Sequence, residues 1–451
     1  MAHQPNVIFF FTDQQRWDTC NCYGQPLEGV TPNLDRMAQE GVRFEKAFTC
    51  QPVCGPARSC LQTGKYAAET GCFRNNIALP LDSRTIAHHM SDAGYEVGYI
   101  GKWHLASTGG LPDQPEVNLR TSAIPPERRG GYKDHWIASD VLEFTSHGIE
   151  GGYMFDGEGN KVEFPGYRVD GHTEFVLDYL RTRDRERPFF LFVSYIEPHH
   201  QNDRNCYEGP PGSKERFADF VVPGDLTGTD GDWRENYPDY LGAISSLDRN
   251  LGRVRDELAK LGLADDTVVI YTSDHGSHFK TRNGEYKRSC HDGCTHVPMV
   301  ACGPGFKGNK VVEDLVSLID IPPTILTLGG VEPPPEHRGR PLQGLVTGKA
   351  TDWPDDVFIQ ISESHVGRAV RTIKWKYSVR APGRRGGRDP ASDLYEEDFL
   401  YDLEADPHER NNLVREPGLE SVRDEMRARL ISRMECAGEA APEIRPAPAE
   451  T

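Results

Sequence analysis

Four stretches of the chain are apolar almost without interruption, and each ends abruptly in polar residues. They are Asn6 to Thr12 (NVIFFFT), Glu96 to Ile100 (EVGYI), Pro188 to Tyr195 (PFFLFVSY) and Thr267 to Thr272 (TVVIYT). Runs of this kind bury both faces, as the central strands of a parallel sheet do. Val42 to Phe48 and the segment from Val300 are expected as shorter strands. Helical periodicity separates them. Thr31-Pro32-Asn33 opens a helix with Leu34, Met37 and Ala38 on one face. Ser83 is expected to cap a helix carrying Ile86 and Met90, and His172 to Thr182 is amphipathic. Leu241, Ile244, Leu247, Leu251, Val254 and Leu258 recur with a 3.6-residue period, which predicts a long helix over Tyr240 to Leu261. Strands alternating with helices make an α/β fold.

The rhythm breaks twice. From Ala106 to about His172 the chain turns to Gly, Pro, aromatic and charged residues, which predicts a long irregular insertion of the type that carries substrate contacts or a lid. After the prolines at 333–335, the short runs Val357 to Ile361, Ala369 to Ile373, Lys376 to Val379 and Phe399 to Tyr401 predict a small antiparallel sheet. Leu318 to Leu328 is expected as a strand-to-helix segment, and Glu420 to Met434 as a helix. The expected organisation is a catalytic α/β domain over 1–350, a smaller α+β domain over 351–436 and a mobile tail over 437–451.

Charge narrows the partners. Across 451 residues the formal net charge is -18, which disfavours nucleic acid and anionic membranes. The one basic run is Arg380 to Arg388 (RAPGRRGGR), read as a solvated loop or a contact to an anionic polymer. Val7 to Phe11 is too short for a signal h-region or a membrane span. Eleven cysteines, an odd number without framework spacing, fit reduced thiols, so a cytoplasmic chain is expected.

The candidate chemistry lies where the apolar runs stop. Asp13-Gln14, Lys102 with His104, His199, and Asp274-His275 each follow a predicted strand, and an open α/β sheet binds ligands outside those ends. Cys54-Gly55-Pro56-Ala57-Arg58 reads as a loop entering a short helix that Gly64 stops. Cys54 would then sit at a helix N-terminus, where anions are favoured, with Arg58 one turn on. On its own this leaves open a nucleophile at an anion pocket or a structural cysteine. Cys290 to His296 holds five potential ligands in seven residues, but no partner pair with zinc spacing follows.

Together these segments resemble a formylglycine-dependent sulfatase of the alkaline phosphatase superfamily. The resemblance runs from Pro5 to about Leu413. It rests on Pro5-Asn6-Val7-Ile8 with Thr12-Asp13-Gln14, Thr31 to Asp35, Cys54-x-Pro-x-Arg58 with Thr63-Gly64-Lys65, Gly101 to Leu105, Pro198-His199, Thr272 to Gly276 and Tyr401 to Pro407. It implies a large mixed, mostly parallel sheet sandwiched by helices, with a smaller C-terminal domain of antiparallel sheet plus helix.

By that resemblance, Cys54 is oxidised to formylglycine by a maturation enzyme. The hydrate offers one hydroxyl for attack and a second for releasing the transferred group. Ala57 stands where many members have Ser, Thr or Cys. Asp13, Gln14, Asp274 and His275 take the metal-ligand positions for one divalent cation, with Ca2+ first and Mn2+ or Mg2+ next. Many members have Asp and Asn where this chain has Gln14 and His275. Lys102 and Lys287 take the sulfate-binding positions, His199 the leaving-group position, His104 the diol position, and Arg58 holds the formylglycine oxygen. His135, Glu143, His147 and Arg282 are candidate substrate contacts from the irregular regions. The expected activity is hydrolysis of a sulfate monoester, on a small sulfated saccharide or an aryl sulfate. The alternatives are a phosphonate monoester or phosphodiester hydrolase, which shares the Gln/His variation, and a non-catalytic glycan-binding protein with unmodified Cys54.

Overall fold

The computed structural model describes residues 4–107 and 117–449. Its centre is a twelve-stranded mixed sheet. Thr267–Ser273, Asn6–Thr12, Phe189–Ser194, Glu96–Lys102 and His135–Ser139 lie side by side in that order, all parallel. Their carboxyl ends therefore share one edge. Antiparallel strands flank this block: Met299–Cys302 pairs with Thr267–Ser273 and Val42–Phe48, and Gly151–Phe155 follows His135–Ser139.

The uninterrupted runs are explained by two cores. Alternate residues of one strand point to opposite faces. Phe9 and Phe11 join Tyr99, Phe190 and Phe192 on one side, and Ile8 and Phe10 join Leu191, Val193 and Tyr271 on the other. The second face is covered by the helix Trp233–Lys260, which buries Leu247, Leu251, Val254 and Leu258. Each large side chain removed from water in this way contributes about 1.5–3 kcal/mol. None of the helices among the described residues is long and apolar enough to cross a membrane.

Several expectations change. Thr85, not Ser83, caps the helix Ile86–Asp92, through a reciprocal box with His88. The region expected to be irregular holds His135–Ser139 within the parallel block, together with Gly151–Phe155 and Lys161–Phe164; residues 108–116 of it lie outside the described residues. Lys310–Ser317 is an additional strand on Val42–Phe48. Leu318–Asp320 is a 3-10 turn, not a strand, leading into the helix Ile321–Leu328.

The smaller sheet orders Asp356–Ile361, Gly367–Thr372, Trp375–Arg380 and Leu394–Asp402 as antiparallel neighbours. The helix Glu420–Cys436 packs Met426, Leu430 and Met434 against it. Within the stretch expected as a mobile tail, Glu443–Arg445 instead adds a parallel strand to Leu394–Glu396. The small sheet is tied to the large one through buried charge. Lys376 pairs with Asp292 and Glu409, and Glu409 also accepts from the Asp292 amide at 2.6 Å.

Gly101 shows how tightly the site edge is built. Its φ is +116°, and a Cβ there would fall 2.0 Å from the Ser194 carbonyl and 2.3 Å from His172 Cε1. Gly101→Ala is expected to cost about 3 kcal/mol, from backbone strain and overpacking, read by denaturant unfolding. An unchanged midpoint would show that the strand can shift freely.

Candidate active site

The helix Cys54–Thr63 is buried throughout and ends at Gly64, whose φ of 68° no β-carbon-bearing residue adopts readily. Its first residue, Cys54, meets the carboxyl edge of the parallel block. The Cys54 Sγ lies 2.9 Å from Lys287 Nζ, 3.3 Å from His275 Nε2 and 3.4 Å from Asp13 Oδ1. His104 faces the same thiol.

Asp13 is the hub. Its Oδ2 accepts from Lys102 Nζ at 2.7 Å and from Arg58 Nη2 at 2.9 Å. Arg58 also donates to the Lys102 carbonyl at 2.9 Å and to Ser194 Oγ at 2.6 Å. This ties the cysteine helix to two strands. Burial and Cys54 push the Asp13 carboxyl up, but Lys102, His199 and Arg58 overcome them and hold it well below the usual range. Burial would likewise raise the Cys54 thiol. Lys102, Lys287 and His275 outweigh it and hold the thiol well below its ordinary value. The position of Cys54 Sγ therefore favours an anion.

The same group fits a cation. Ligand atoms of Asp13, Cys54, Asp274 and His275 lie within 4.8 Å of one another. The Asp274 Oδ2 is buried without a hydrogen-bond partner. Burial and the neighbouring Asp13 push the Asp274 carboxyl up to about 7. Two carboxylates this close resist joint ionisation unless a positive charge joins them. His275 Nδ1 lies 2.8 Å from the Gly276 carbonyl and donates to it, so Nε2 is the ring atom turned to the ligand group. Gln14 adjoins this group through its backbone N–H, which donates to Asp274 Oδ1 at 2.9 Å; its side-chain Nε2 donates to Tyr207 at 2.6 Å and to Ser277 at 3.3 Å, leaving Oε1 with one long contact, 3.4 Å from the His200 amide.

His199 completes the floor. Its Nδ1 meets the His200 carbonyl at 2.6 Å, and its Nε2 lies 3.1 Å from Lys287 Nζ. Burial and Lys287 push its imidazole down to about 4. Burial pushes His104 to about 4 as well. Gln14 and His104 both hold positive φ, at 68° and 59°. Strain of this kind, worth about 1–3 kcal/mol each, collects at functional sites.

Above the floor opens a cavity of about 190 Å³. Cys54, Lys102, His104, His199 and Lys287 line its base, and Asn75, Glu143, Asn202, Tyr286, Arg288 and Glu363 its walls and mouth. Of the four substrate candidates, only Glu143 lines it, held by Asn202 Nδ2 at 3.1 Å. His135 begins its strand, on the amino side of the sheet, and packs on Tyr179. His147 pairs with Asp203 at 2.9 Å, and Arg282 donates to the His408 and Glu409 carbonyls. None of these three lines the cavity.

Sequence reasoning missed Asp140, whose carbonyl and carboxylate accept the amides of His104 and Ala106 at 2.8 and 2.9 Å. It follows the strand His135–Ser139, so the strand-end rule would have found it had that strand been read. Glu363 and Asn75 carried no such signal. Cys290 to His296 forms no metal cluster among the described residues. Its Asp292 serves Lys376, and His291 meets the Tyr401 hydroxyl at 3.1 Å.

A family model described as Sulfatase matches residues 5–331. The chain belongs to the sulfatase family. The expected sulfuric ester hydrolase follows from this membership. A second model, N-sulphoglucosamine sulphohydrolase, C-terminal, matches residues 284–435. An ulvan-active sulfatase of Formosa agariphila is 27% identical, covering 96% of this chain and 81% of that protein. An N-acetylglucosamine-6-O-sulfatase of Bacteroides thetaiotaomicron is 26% identical, covering 91% and 82%. The crystal structure of a phosphonate monoester hydrolase of Agrobacterium radiobacter shares the fold, with a TM-score of 0.74 at 23% identity over 96% of each chain.

Proposed function

We propose that this sulfatase hydrolyses a sulfate monoester on a saccharide, with Cys54 as the precursor of formylglycine and one divalent cation beside it. The observation that carries the reading is the convergence of Lys287, His275 and Asp13 on Cys54 Sγ. That sulfur marks the place of the formylglycine oxygens. The hydrate would supply a hydroxyl for attack on sulfur and a second hydroxyl for release of sulfate. A cation held by Asp13, Gln14, Asp274 and His275 would lower the pKa of that hydroxyl and offset charge on the sulfuryl group. Calcium suits the carboxylate and amide oxygens; manganese or magnesium come next.

The chain's own residues supply the rest. Lys102 and Lys287 present compact positive charge to the non-bridging oxygens of the substrate. Arg58 anchors the nucleophile's helix through Asp13 and Ser194. His104, neutral at pH 7 because burial depresses it, is able to take a proton from the second hydroxyl. His199, with Nδ1 on the His200 carbonyl, keeps Nε2 as an acceptor for Lys287 Nζ at 3.1 Å, so it would orient that ammonium as a donor to the leaving oxygen. The sugar is supported by the two carbohydrate-sulfatase relatives and by the amide and carboxylate groups at the mouth.

Turnover of nitrophenyl sulfate, phosphate and phosphonate esters tests the reaction class. The sulfate should be turned over fastest; preference for the phosphonate would transfer the chain to the reaction of its Agrobacterium neighbour. The metal is tested separately. Adding calcium to chelator-stripped protein should stabilise the fold by about 2.7 kcal/mol at a hundredfold excess over Kd, read as a rise in Tm. Manganese and magnesium are run beside it, and no shift with any of the three would remove the metal.

A further inference from the structure

The one basic run of this acidic chain, Arg380 to Arg388, lies against the mouth of the active site. It follows the strand Trp375–Arg380 and folds back onto Ser362 to His365. Gly387 donates to the Ser362 carbonyl at 2.7 Å. Gly386 packs so closely that a Cβ there would meet the Glu363 carbonyl at 2.5 Å. The same segment grips the cavity wall. Glu363 pairs with Arg288 at 2.9 Å and accepts from the Asn75 amide at 3.2 Å, and Ser364 Oγ donates to the Arg288 carbonyl at 2.7 Å. The glycines are what allow the basic loop to sit this close to the rim.

The exposed charge on this loop is underused. Arg384 shares its charge with Asp393 across 3.5 Å. Arg385 and Arg388 are exposed and make no ion pair among the described residues. At the rim, Arg120 covers the Phe144 ring at 4.4 Å and likewise has no ion pair among the described residues. Cationic groups thus run from Lys102 and Lys287 at the floor, through Arg288 and Arg120 at the mouth, to Arg385 and Arg388 outside. On a surface of net charge -18, like-charge repulsion keeps polyanions away unless a local track of this kind receives them.

We propose that the Arg380 to Arg388 loop is a distal subsite for anionic groups on sugar rings beyond the one that bears the scissile sulfate. The preferred substrate is then a multiply charged oligosaccharide, with the sulfated end ring in the cavity and its neighbours under the loop. The proposal rests on the sulfated-saccharide reading above. Sulfate and uronate carboxylate groups share the chemistry that an arginine fork accepts.

The test is calorimetric binding to the full chain carrying Cys54→Ala, so that no probe is consumed. The probes are glucosamine 6-sulfate, a fully sulfated tetrasaccharide of glucosamine and uronic acid, and the same tetrasaccharide sulfated only on its terminal glucosamine. Adding Arg385→Ala and Arg388→Ala should weaken tetrasaccharide binding about fivefold relative to the monosaccharide, the scale of two exposed charge contacts. Added salt should shrink the difference. Arg185→Ala, exposed on the turn before the strand Phe189–Ser194, should match the parent. Loss confined to the fully sulfated probe assigns the loop to sulfates; loss with both tetrasaccharides assigns it to carboxylates. Equal tetrasaccharide affinity with and without the two arginines overturns the subsite and leaves the sulfated-saccharide reading standing. Failure of every probe to bind the parent overturns both.

Discussion

Cys54→Ala is expected to lower kcat by about four orders of magnitude or more, since no neighbouring group is placed to replace the nucleophile. Lys287, His275 and Asp13 all face the missing atom, and without it the proton transfer proposed for His104 has no hydroxyl to act on. The fold should survive. Cys54 is a small buried group at the first turn of a helix held elsewhere by Arg58, Cys60 and Leu61. Removing one sulfur leaves a cavity that costs about 1–2 kcal/mol at most. The check is turnover beside thermal unfolding of the same preparation. Retained turnover would dismiss Cys54 as the nucleophile, and loss of the fold would move its role to structure.

Asp13→Asn is the second large effect, and it acts on stability and chemistry together. Asp13 is fully buried, and its carboxylate compensates both Lys102 and Arg58. An amide of the same shape leaves two buried cations without their partner, a loss of about 3–5 kcal/mol. It also removes one anionic oxygen from the proposed cation site and slackens the Arg58 tether. Activity should fall by about two to three orders of magnitude, the cost of one preorganised electrostatic group. Denaturant unfolding and bound metal per chain read the two effects separately. A variant with unchanged midpoint, metal content and rate would take Asp13 out of the centre.

Much of this site was legible because the sheet announces itself. A strand buried on both faces must be apolar, so its end is visible where polar residues begin. Asp13, Lys102, His199 and Asp274 were found by that rule alone. Cys54 was visible through Pro56 and Gly64, which bracket a short helix. Lys287 was not, because it lies in the unpatterned loop between Gly276 and His291, and only the family resemblance pointed to it. His135–Ser139 has only five residues and begins with a histidine, so it read as loop, and with it Asp140 was lost. Lys310–Ser317 was hidden by a bulge between Val312 and Leu315 that breaks its alternation.

The three substrate candidates that do not line the cavity share one feature. Polarity in an irregular region carries no direction, so His135, His147 and Arg282 looked as suitable as Glu143. His135 turned out to open a strand, and Arg282 fastens the chain to the carbonyls of His408 and Glu409. Glu363 reaches the mouth from a sheet some 300 residues from Cys54 in sequence, a juxtaposition that only the packing of the two sheets creates.

The most direct test of the account is the chemical state of residue 54 in active protein from its native host. Trypsin releases Ala47 to Arg58, which carries two cysteines, Cys50 and Cys54. After alkylation, mass spectrometry should find one alkylated thiol, at Cys50, and an aldehyde at position 54. Two alkylated thiols in protein that hydrolyses sulfate esters at full rate would contradict the account; two in protein without turnover would point instead to a glycan-binding role.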